Sequence, residues 1–550
     1  MTAATTPKSR LANPWLVLAV MCVPVFIGAL DLTIVSAFLP ELILELELPL
    51  QTALDDAAWI LSGYLLAYTV SMTFMGRVSD LIGRKWVYVT CLMIFIVGSV
   101  LVATAHTWPT DFVYSIYRRL GERPDISYVN LQVIILGRVV QALGAGALVP
   151  VSLALVGDMF PPERRARPLG LVAAVDTLGW VLGHLYGGLL VHHFSAYREQ
   201  YTALLEPIGW PAPHWQTLFW INVPMTLITI ALVLWALRAA PQFRAEGRFD
   251  FVGTALIIGA LIALNIGLGG NVDTATSAGS FEDLSPLPPY FGPMMILTAI
   301  FFAAFVWVEA HVRDPLVKLA MFRRRNLSAG ALVNLFVGFC LVIGLVSVPI
   351  LVNVRQEDAS TLSEAALQVG LLLSTLTVPM ALAAVPGGWL SDRIGYRNTT
   401  VIGLGLALIG FVAVWQTWVL TIPDGLIAVE MAVIGIGLGL TFSPISAAVI
   451  NAARQDERGV ASALVIILRL IGMTVSVSAL TTLSLNRVNA LAIEALGAAG
   501  VDPFQAGEIY ANITVEVLAE LGLIGALVCG VALIPAFLLR RRDAHLPETA

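Results

Sequence analysis

The chain has 550 residues, of which 58% are hydrophobic and only 12% charged. Soluble domains carry roughly twice that share of charge, so a soluble enzyme is excluded and no nucleic-acid partner is expected. The net charge of −6 decides little, because where the cations sit matters more than their sum.

About 20 apolar residues cross a bilayer core. Hydropathy predicts fourteen spans, near 15–39, 57–76, 86–105, 131–156, 169–191, 217–237, 251–270, 291–310, 327–352, 365–388, 398–418, 426–449, 460–484 and 516–538. The first run is long and contains Asp31, unlike a cleavable signal. Basic residues resist translocation. Arg164, Arg165 and Arg167, then Arg323 to Arg325, then Arg540 to Arg542, fall on one side if both termini are cytoplasmic. A multi-pass protein of the cell membrane is expected.

In chain order, Asp31 comes first. A carboxylate within a span is costly and marks a pathway by default, the alternative being a structural ion pair. After the second span comes Gly76-Arg77-Val78-Ser79-Asp80-Leu81-Ile82-Gly83-Arg84-Lys85. Gly76 and Gly83 allow close approach and a tight turn, and Asp80 can pair with Arg84 or sit at a helix N-terminus. Arg138 in the fourth span is predicted at a depth similar to Asp31, which makes the two candidate partners. The fifth span holds Asp176, a second buried carboxylate, then Gly179, Gly183, Gly187 and Gly188, a small-residue groove that admits a neighbouring backbone. His184 within it is a titratable candidate, or a packed neutral ring. External connections 106–130 and 192–216 are long and rich in aromatics and proline.

The hinge returns in the second half as Gly387-Gly388-Trp389-Leu390-Ser391-Asp392-Arg393-Ile394-Gly395-Tyr396-Arg397, with Tyr396 between glycine and arginine. Asp392, Gly395 and Arg397 keep the pattern. Repetition of a charged hinge points to two six-helix pseudo-repeats around a two-helix insertion, with the site between them near the midplane. The predicted division is 1–14 (cytoplasmic), 15–237 (first bundle), 238–326 (insertion and connectors), 327–538 (second bundle) and 539–550 (cytoplasmic). Arg469 is the other intramembrane arginine and an alternative partner for Asp31. From Val460 to about Leu496 no proline interrupts, so the thirteenth helix should outrun the bilayer, projecting outside at about 485–512. The four cysteines show no metal-ligand spacing and read as free core thiols. His192 and His193 have no partner ligands, and no metal is expected.

The hinge pattern Gly-x-x-x-Asp-x-x-Gly-Arg-Lys/Arg resembles the loop between helices 2 and 3 of the major facilitator superfamily. Asp31-x-Thr33-Ile34-Val35-x-x-x-Leu39-Pro40, the string around Arg138 and the helix-5 glycines resemble motifs of its fourteen-helix drug:proton antiporter branch. His184 stands where that branch has proline. Phe219-Trp220-Ile221-Asn222-Val223-Pro224 and Gly459-Val460-Ala461-Ser462-Ala463 also match. The Trp59–Lys85 block and Arg469-Leu470-Ile471-Gly472-Met473 are similar to mycobacterial exporters of triacylglycerides.

The resemblance implies an all-α membrane protein working by alternating access. Asp31, with Arg138, Arg469, Asp176 and His184, would couple protons to export of lipophilic or amphipathic small molecules, as in multidrug efflux. Export of lipids to the outer envelope is the alternative, and a non-transporting receptor the remote one. No Gly-x4-Gly-Lys-Ser/Thr string is present, so no nucleotide hydrolysis is expected. No cofactor is expected, the proton gradient supplying the energy.

Overall fold

The computed structural model describes residues 13–35, 38–46, 57–208, 212–238, 243–269, 280–281, 287–355, 362–496 and 503–540. All regular elements among them are helices. The first half comprises α1 (Pro14–Ile34), α2 (Leu39–Glu45), α3 (Trp59–Ile82), α4 (Arg84–Ala103), α5 (Trp108–Arg119), α6 (Ile126–Ala145), α7 (Leu148–Met159), α8 (Ala166–Ala196), α9 (Arg198–Leu205) and α10 (Trp215–Ala236). The pair α11 (Phe251–Leu268) and α12 (Phe291–His311) follows. The second half comprises α13 (Arg325–Val354), α14 (Leu362–Ile394), α15 (Tyr396–Thr417), α16 (Asp424–Ala452), α17 (Arg458–Leu496) and α18 (Pro503–Leu538).

Among the described residues, thirteen helical stretches are long and apolar enough to cross a membrane, α6 and α7 counting as one. The remaining predicted span, α3, has 24 residues but is more polar, with Ser62, Tyr64, Thr69, Ser71 and Thr73 along it. The serine and threonine hydroxyls are satisfied locally or inside the bundle. The Thr69 hydroxyl donates to the Leu65 carbonyl, and that of Ser71 reaches Leu143 O on α6.

Local chemistry explains several boundaries. Asn13 caps α1 by accepting from Trp15 N at 3.0 Å, and Pro14 suits the first helical position. The fourth predicted span is interrupted at Gly146-Ala147. Pro150 has no amide hydrogen to give the Gly146 carbonyl, so one rung of the ladder is missing there. The connections expected at 106–130 and 192–216 contain helix: α5 and α9 form, and α8 continues to Ala196.

Each hinge is a single residue between two helices. Gly83 joins α3 to α4 at φ 103°, and Gly395 joins α14 to α15 at φ 90°. Both lie where only glycine sits without strain, so the repeat in sequence is a repeat of backbone geometry.

The halves meet where α8 packs on α14 and where α3 packs on α17, and α11 lies against α3 and α17. α17 runs unbroken for 39 residues and α18 for 36. At 1.5 Å per residue these rods are roughly 55 Å long, against about 30 Å of hydrocarbon. Arg487 on α17 grips Glu520 on α18 with both ends of its guanidinium, at 2.8 to 3.2 Å. The predicted extension falls partly on residues 497–502, which lie outside the described residues. All four cysteines are buried free thiols, with Cys340 and Cys529 sulfurs 3.5 Å apart.

Candidate functional site

Polar side chains inside this apolar bundle gather in three layers, stacked from the hinge end to the far side of the midplane.

The hinge layer is a charge network. Asp80 Oδ1 lies 2.6 Å from Arg84 Nη2, and Arg84 Nε lies 3.2 Å from Asp158 Oδ2. Asp158 Oδ1 then accepts from Arg458 Nη1 at 2.9 Å, across the boundary between halves. The Gly459 amide, at the start of α17, donates to Asp80 Oδ1 at 3.1 Å, a carboxylate at a helix N-terminus. Gly76 and Gly459 touch backbone to backbone, since a Cβ on Gly76 would stand 2.5 Å from Gly459 O. Lys85 is half-buried, its ammonium 5.6 Å from the Trp86 ring centre.

The second hinge mirrors the first with weaker charge. Asp392 on α14 reaches across to Arg167 at the start of α8, at 3.4 Å. Tyr396 follows Gly395 as Arg84 follows Gly83, and its hydroxyl accepts from Asn451 Nδ2 at 2.6 Å. The arginine of the pattern, Arg397, lies over the Phe537 ring at 5.2 Å. Tyrosine at the position after the glycine thus leaves Asp392 to an arginine of the other half.

The middle layer is a cavity of about 70 Å³ between the halves, walled mainly by Leu65, Tyr68, Trp180, Met380, Phe442 and Met473. Asp176 from α8 and Arg469 from α17 meet inside it at 3.3 Å. The guanidinium also lies 4.9 Å above the Phe442 ring. This pair joins one half to the other through partly accessible groups, 17% and 13% exposed.

The third layer belongs to the first half alone. Asp31 on α1 is fully buried, and Arg138 on α6 approaches its Oδ2 at 2.6 Å. Asp31 Oδ1 accepts from Gln141 Nε2 at 3.0 Å and from Asn222 Nδ2 on α10 at 2.8 Å. Arg138 also donates to Gln141 Oε1 and to the Asp31 carbonyl, and its guanidinium stacks 3.9 Å above the Tyr64 ring. Gln141 Nε2 further donates to Ser99 Oγ at 2.9 Å. Five helices (α1, α3, α4, α6 and α10) therefore contribute to one network around Asp31. Oδ1 takes two donors and Oδ2 one, so the carboxylate is held on both of its oxygens.

Asp31 therefore pairs with Arg138, while Arg469 belongs to Asp176. Gly179, Gly183 and Gly187 face α1, where Cβ atoms would meet Phe26 O at 2.8 Å, Leu30 O and Ile34 O. The fifth-helix glycines thus bring α8 against the helix that bears Asp31. Gly188 is half-buried beside them, and the side chain of His184 lies outside the described residues. Among the described residues no three His, Cys, Asp or Glu side chains converge as a metal site needs.

Sequence reasoning missed Gln141, Asn222, Ser99 and Asp158. Gln141 and Asn222 stood inside strings already singled out, and Asp158 stands two residues before the Phe160-Pro161-Pro162 exit of its helix. It also missed Glu430, a lone acid within an apolar run. Glu430 is 4% exposed or less and accepts from Thr417 Oγ1 at 2.6 Å and Trp418 Nε1 at 2.9 Å, tying α15 to α16.

Solved structures with this architecture include a proton:xylose symporter bound to 6-bromo-6-deoxy-D-glucose (TM-score 0.56, 13% identity, covering 94% of each chain). A human organic anion transporter aligns with a TM-score of 0.53 at 14% identity, covering 94% of this chain and 99% of that one. At such identity the likeness speaks for the fold. Among curated relatives, a triacylglyceride transporter of Mycolicibacterium hassiacum is 31% identical, covering 96% of this chain and 92% of its own. One of Mycolicibacterium smegmatis is 29% identical over 95% of this chain and 87% of its own, and one of Mycobacterium tuberculosis 28% over 95% and 94%. The profile of the Major Facilitator Superfamily matches residues 21–477. With that match over most of its length, and the repeated hinge at its two junctions, the chain belongs to the Major Facilitator Superfamily and is a multi-pass membrane transporter rather than an enzyme.

Proposed function

We propose that this transporter exports triacylglyceride-type lipids from the cytoplasmic membrane toward the outer envelope, by alternating access driven by protons. The observation that carries the substrate class is the end-to-end similarity to transporters named for triacylglycerides, over 95–96% of the chain. The two overlong helices support it. A lipid leaving a bilayer keeps its acyl chains out of water only if something apolar accompanies them. Apolar area contributes about 25 cal/mol per Å² when shielded, and α17 and α18 offer a surface beyond the membrane on which to do so.

The polar layers supply the machinery. A cavity of about 70 Å³ is far below the ~300–1,000 Å³ of ordinary ligand sites, so passage requires the halves to part. The hinge network holds them together at the end that the arginine bias places in the cytoplasm. Asp31 is the proposed proton carrier, reached when Arg138 is drawn away. Asp176 and Arg469, meeting across the boundary, would report the arrival of substrate to both halves.

Asp176 among Tyr68, Trp180 and Phe442 favours a second reading, efflux of lipophilic cations, since an acid ringed by aromatics suits positive charge. One experiment separates them. Proteoliposomes holding the purified chain are given a fluorescent triacylglyceride or a cationic dye, with the proton gradient on or off. Gradient-dependent lipid release supports lipid export. Dye movement without lipid movement would overturn it in favour of drug efflux, and movement of neither would remove both.

A further inference from the structure

The inserted pair α11 and α12 takes no part in the three layers, yet two buried acids lie near each other at its base. Asp250 caps α11, its Oδ1 accepting from Gly253 N at 2.9 Å. Glu309, near the end of α12, accepts from Val317 N through Oε2 at 3.1 Å. Both side chains are more than nine-tenths buried, 8% and 4% exposed. Each has one oxygen left over, Asp250 Oδ2 and Glu309 Oε1, and neither finds a partner. These two atoms flank Gly253. A Cβ built on Gly253 would run into Asp250 Oδ2 and stand 2.6 Å from Glu309 Oε1. Glycine is what leaves room for them to approach.

Arg77 stands beside the pair, and the other charged groups around it are engaged elsewhere. From α3 comes Arg77, which donates through Nη1 to the Asp456 carbonyl at 3.4 Å. From the connector, Asp314 accepts from the Arg248 amide, and Lys318 is taken by Asp456 and Glu457. Arg324 is held by Glu457, and Arg458, at the start of α17, is held by Asp158. Two ionised carboxylates close together out of water repel strongly, and such pairs keep one proton. A proton on Glu309 removes that repulsion.

We propose that Glu309 keeps a proton beside Asp250 when the hinge end is closed, making the base of the inserted helix pair a proton-binding site separate from Asp31 and Asp176. Loss of that proton adds a buried negative charge beside Arg77, whose Nε has no partner of its own. The charge draws Arg77 toward the pair and away from the Asp456 carbonyl, loosening a contact that links α3 to the entrance of α17. The inserted helices thereby read pH at the hinge end and weaken the closed state when the proton leaves.

The test is infrared difference spectroscopy of the full-length protein in lipid across a pH titration, comparing wild type with Asp250→Asn, Glu309→Gln and the double variant. Asparagine still caps α11, and glutamine still accepts from Val317, so the variants keep the local fold. The expected result is one protonated-carboxyl band in the wild type that vanishes as pH rises, is missing from Glu309→Gln and vanishes at lower pH in Asp250→Asn. The double variant should lose no further band. Thermal unfolding followed in parallel should fall with rising pH more steeply in the wild type than in either single variant. Bands unchanged in both variants would overturn the proposal. So would a Glu309→Gln protein less stable at every pH by the same amount, which is the signature of a lost ion pair with Arg77 rather than a proton on Glu309.

Discussion

Replacing Gly76 by alanine is expected to push the transporter out of its hinge-closed state. A Cβ at this position stands 2.5 Å from Gly459 O and 2.8 Å from Gly459 C, and ordinary contact begins at 3.4 Å. The obstacles are backbone atoms of the opposite half, so no rotamer change relieves them, and α3 and α17 must separate by about 0.9 Å. Overpacking of this kind costs about 1–3 kcal/mol. The cost falls only on the state in which the halves touch, so the ratio of closed to open should shift about 5- to 150-fold. Alanine favours helix over glycine, so folding is not at risk. Spin labels at exposed Ile82 and Gln455, one on each half, report the separation. Gly405→Ala, where an added Cβ meets nothing within 4 Å, is the control. The expected result is a new long-distance population in Gly76→Ala and none in the control. A folded Gly76→Ala protein with the distance distribution of wild type would refute the idea that this backbone contact holds the halves together.

Asp31→Asn is expected to abolish gradient-driven transport and to lower stability by about 3–5 kcal/mol, because Arg138 is left buried without its charge partner. Adding Arg138→Gln should restore the unfolding temperature without restoring transport, which thermal denaturation and vesicle assays check together. Asp176→Asn and Arg469→Gln should each block transport at little cost in stability, since their pair faces the cavity; an unfolding shift as large as that of Asp31→Asn would count against it. Tyr396→Arg should strengthen the second hinge by giving Asp392 a neighbouring cation, slowing turnover and narrowing the closed population seen by the same spin labels. Replacing residues 485–512 by a short flexible linker should collapse lipid release while sparing any dye movement; equal loss of both would remove the shielding role of the extension.

The sequence announces its membrane spans because each needs some twenty apolar residues, a signal strong enough to survive without structural context. Gly83 and Gly395 were legible as turns because both sit in a repeated string, and repetition is visible to the eye. Asp31 and Arg138 could be matched by depth, since 1.5 Å per residue converts sequence position into height within the bilayer. Height does not give rotation about the helix axis, so Arg469, though at a different depth, remained an alternative until Asp176 was seen opposite it. Gln141, Asn222 and Ser99 were hidden for the same reason, being ordinary amides and hydroxyls until the helices bring them into one network around Asp31. The break at Gly146 was overlooked because Pro150 acts on the carbonyl four residues earlier. Asp250 and Glu309 are 59 positions apart and meet only through the pairing of α11 with α12.

The length of α17 has a mechanical consequence. Its first turn is gripped at Gly459, against Asp80 and the backbone of Gly76, and its far end at Leu496 is stiffened by the Arg487–Glu520 tie to α18. A rod held near one end acts as a lever arm. If it tilts by roughly 10° about that grip, its far tip swings through about 10 Å, whereas a helix ending at the bilayer surface would move about half as far. Breaking the Gly459–Asp80 hydrogen bond at the hinge end would thus be geared into a displacement of several ångströms at the far end. Anything resting on the tip of α17 and α18 would be moved by each cycle without touching the cavity at all.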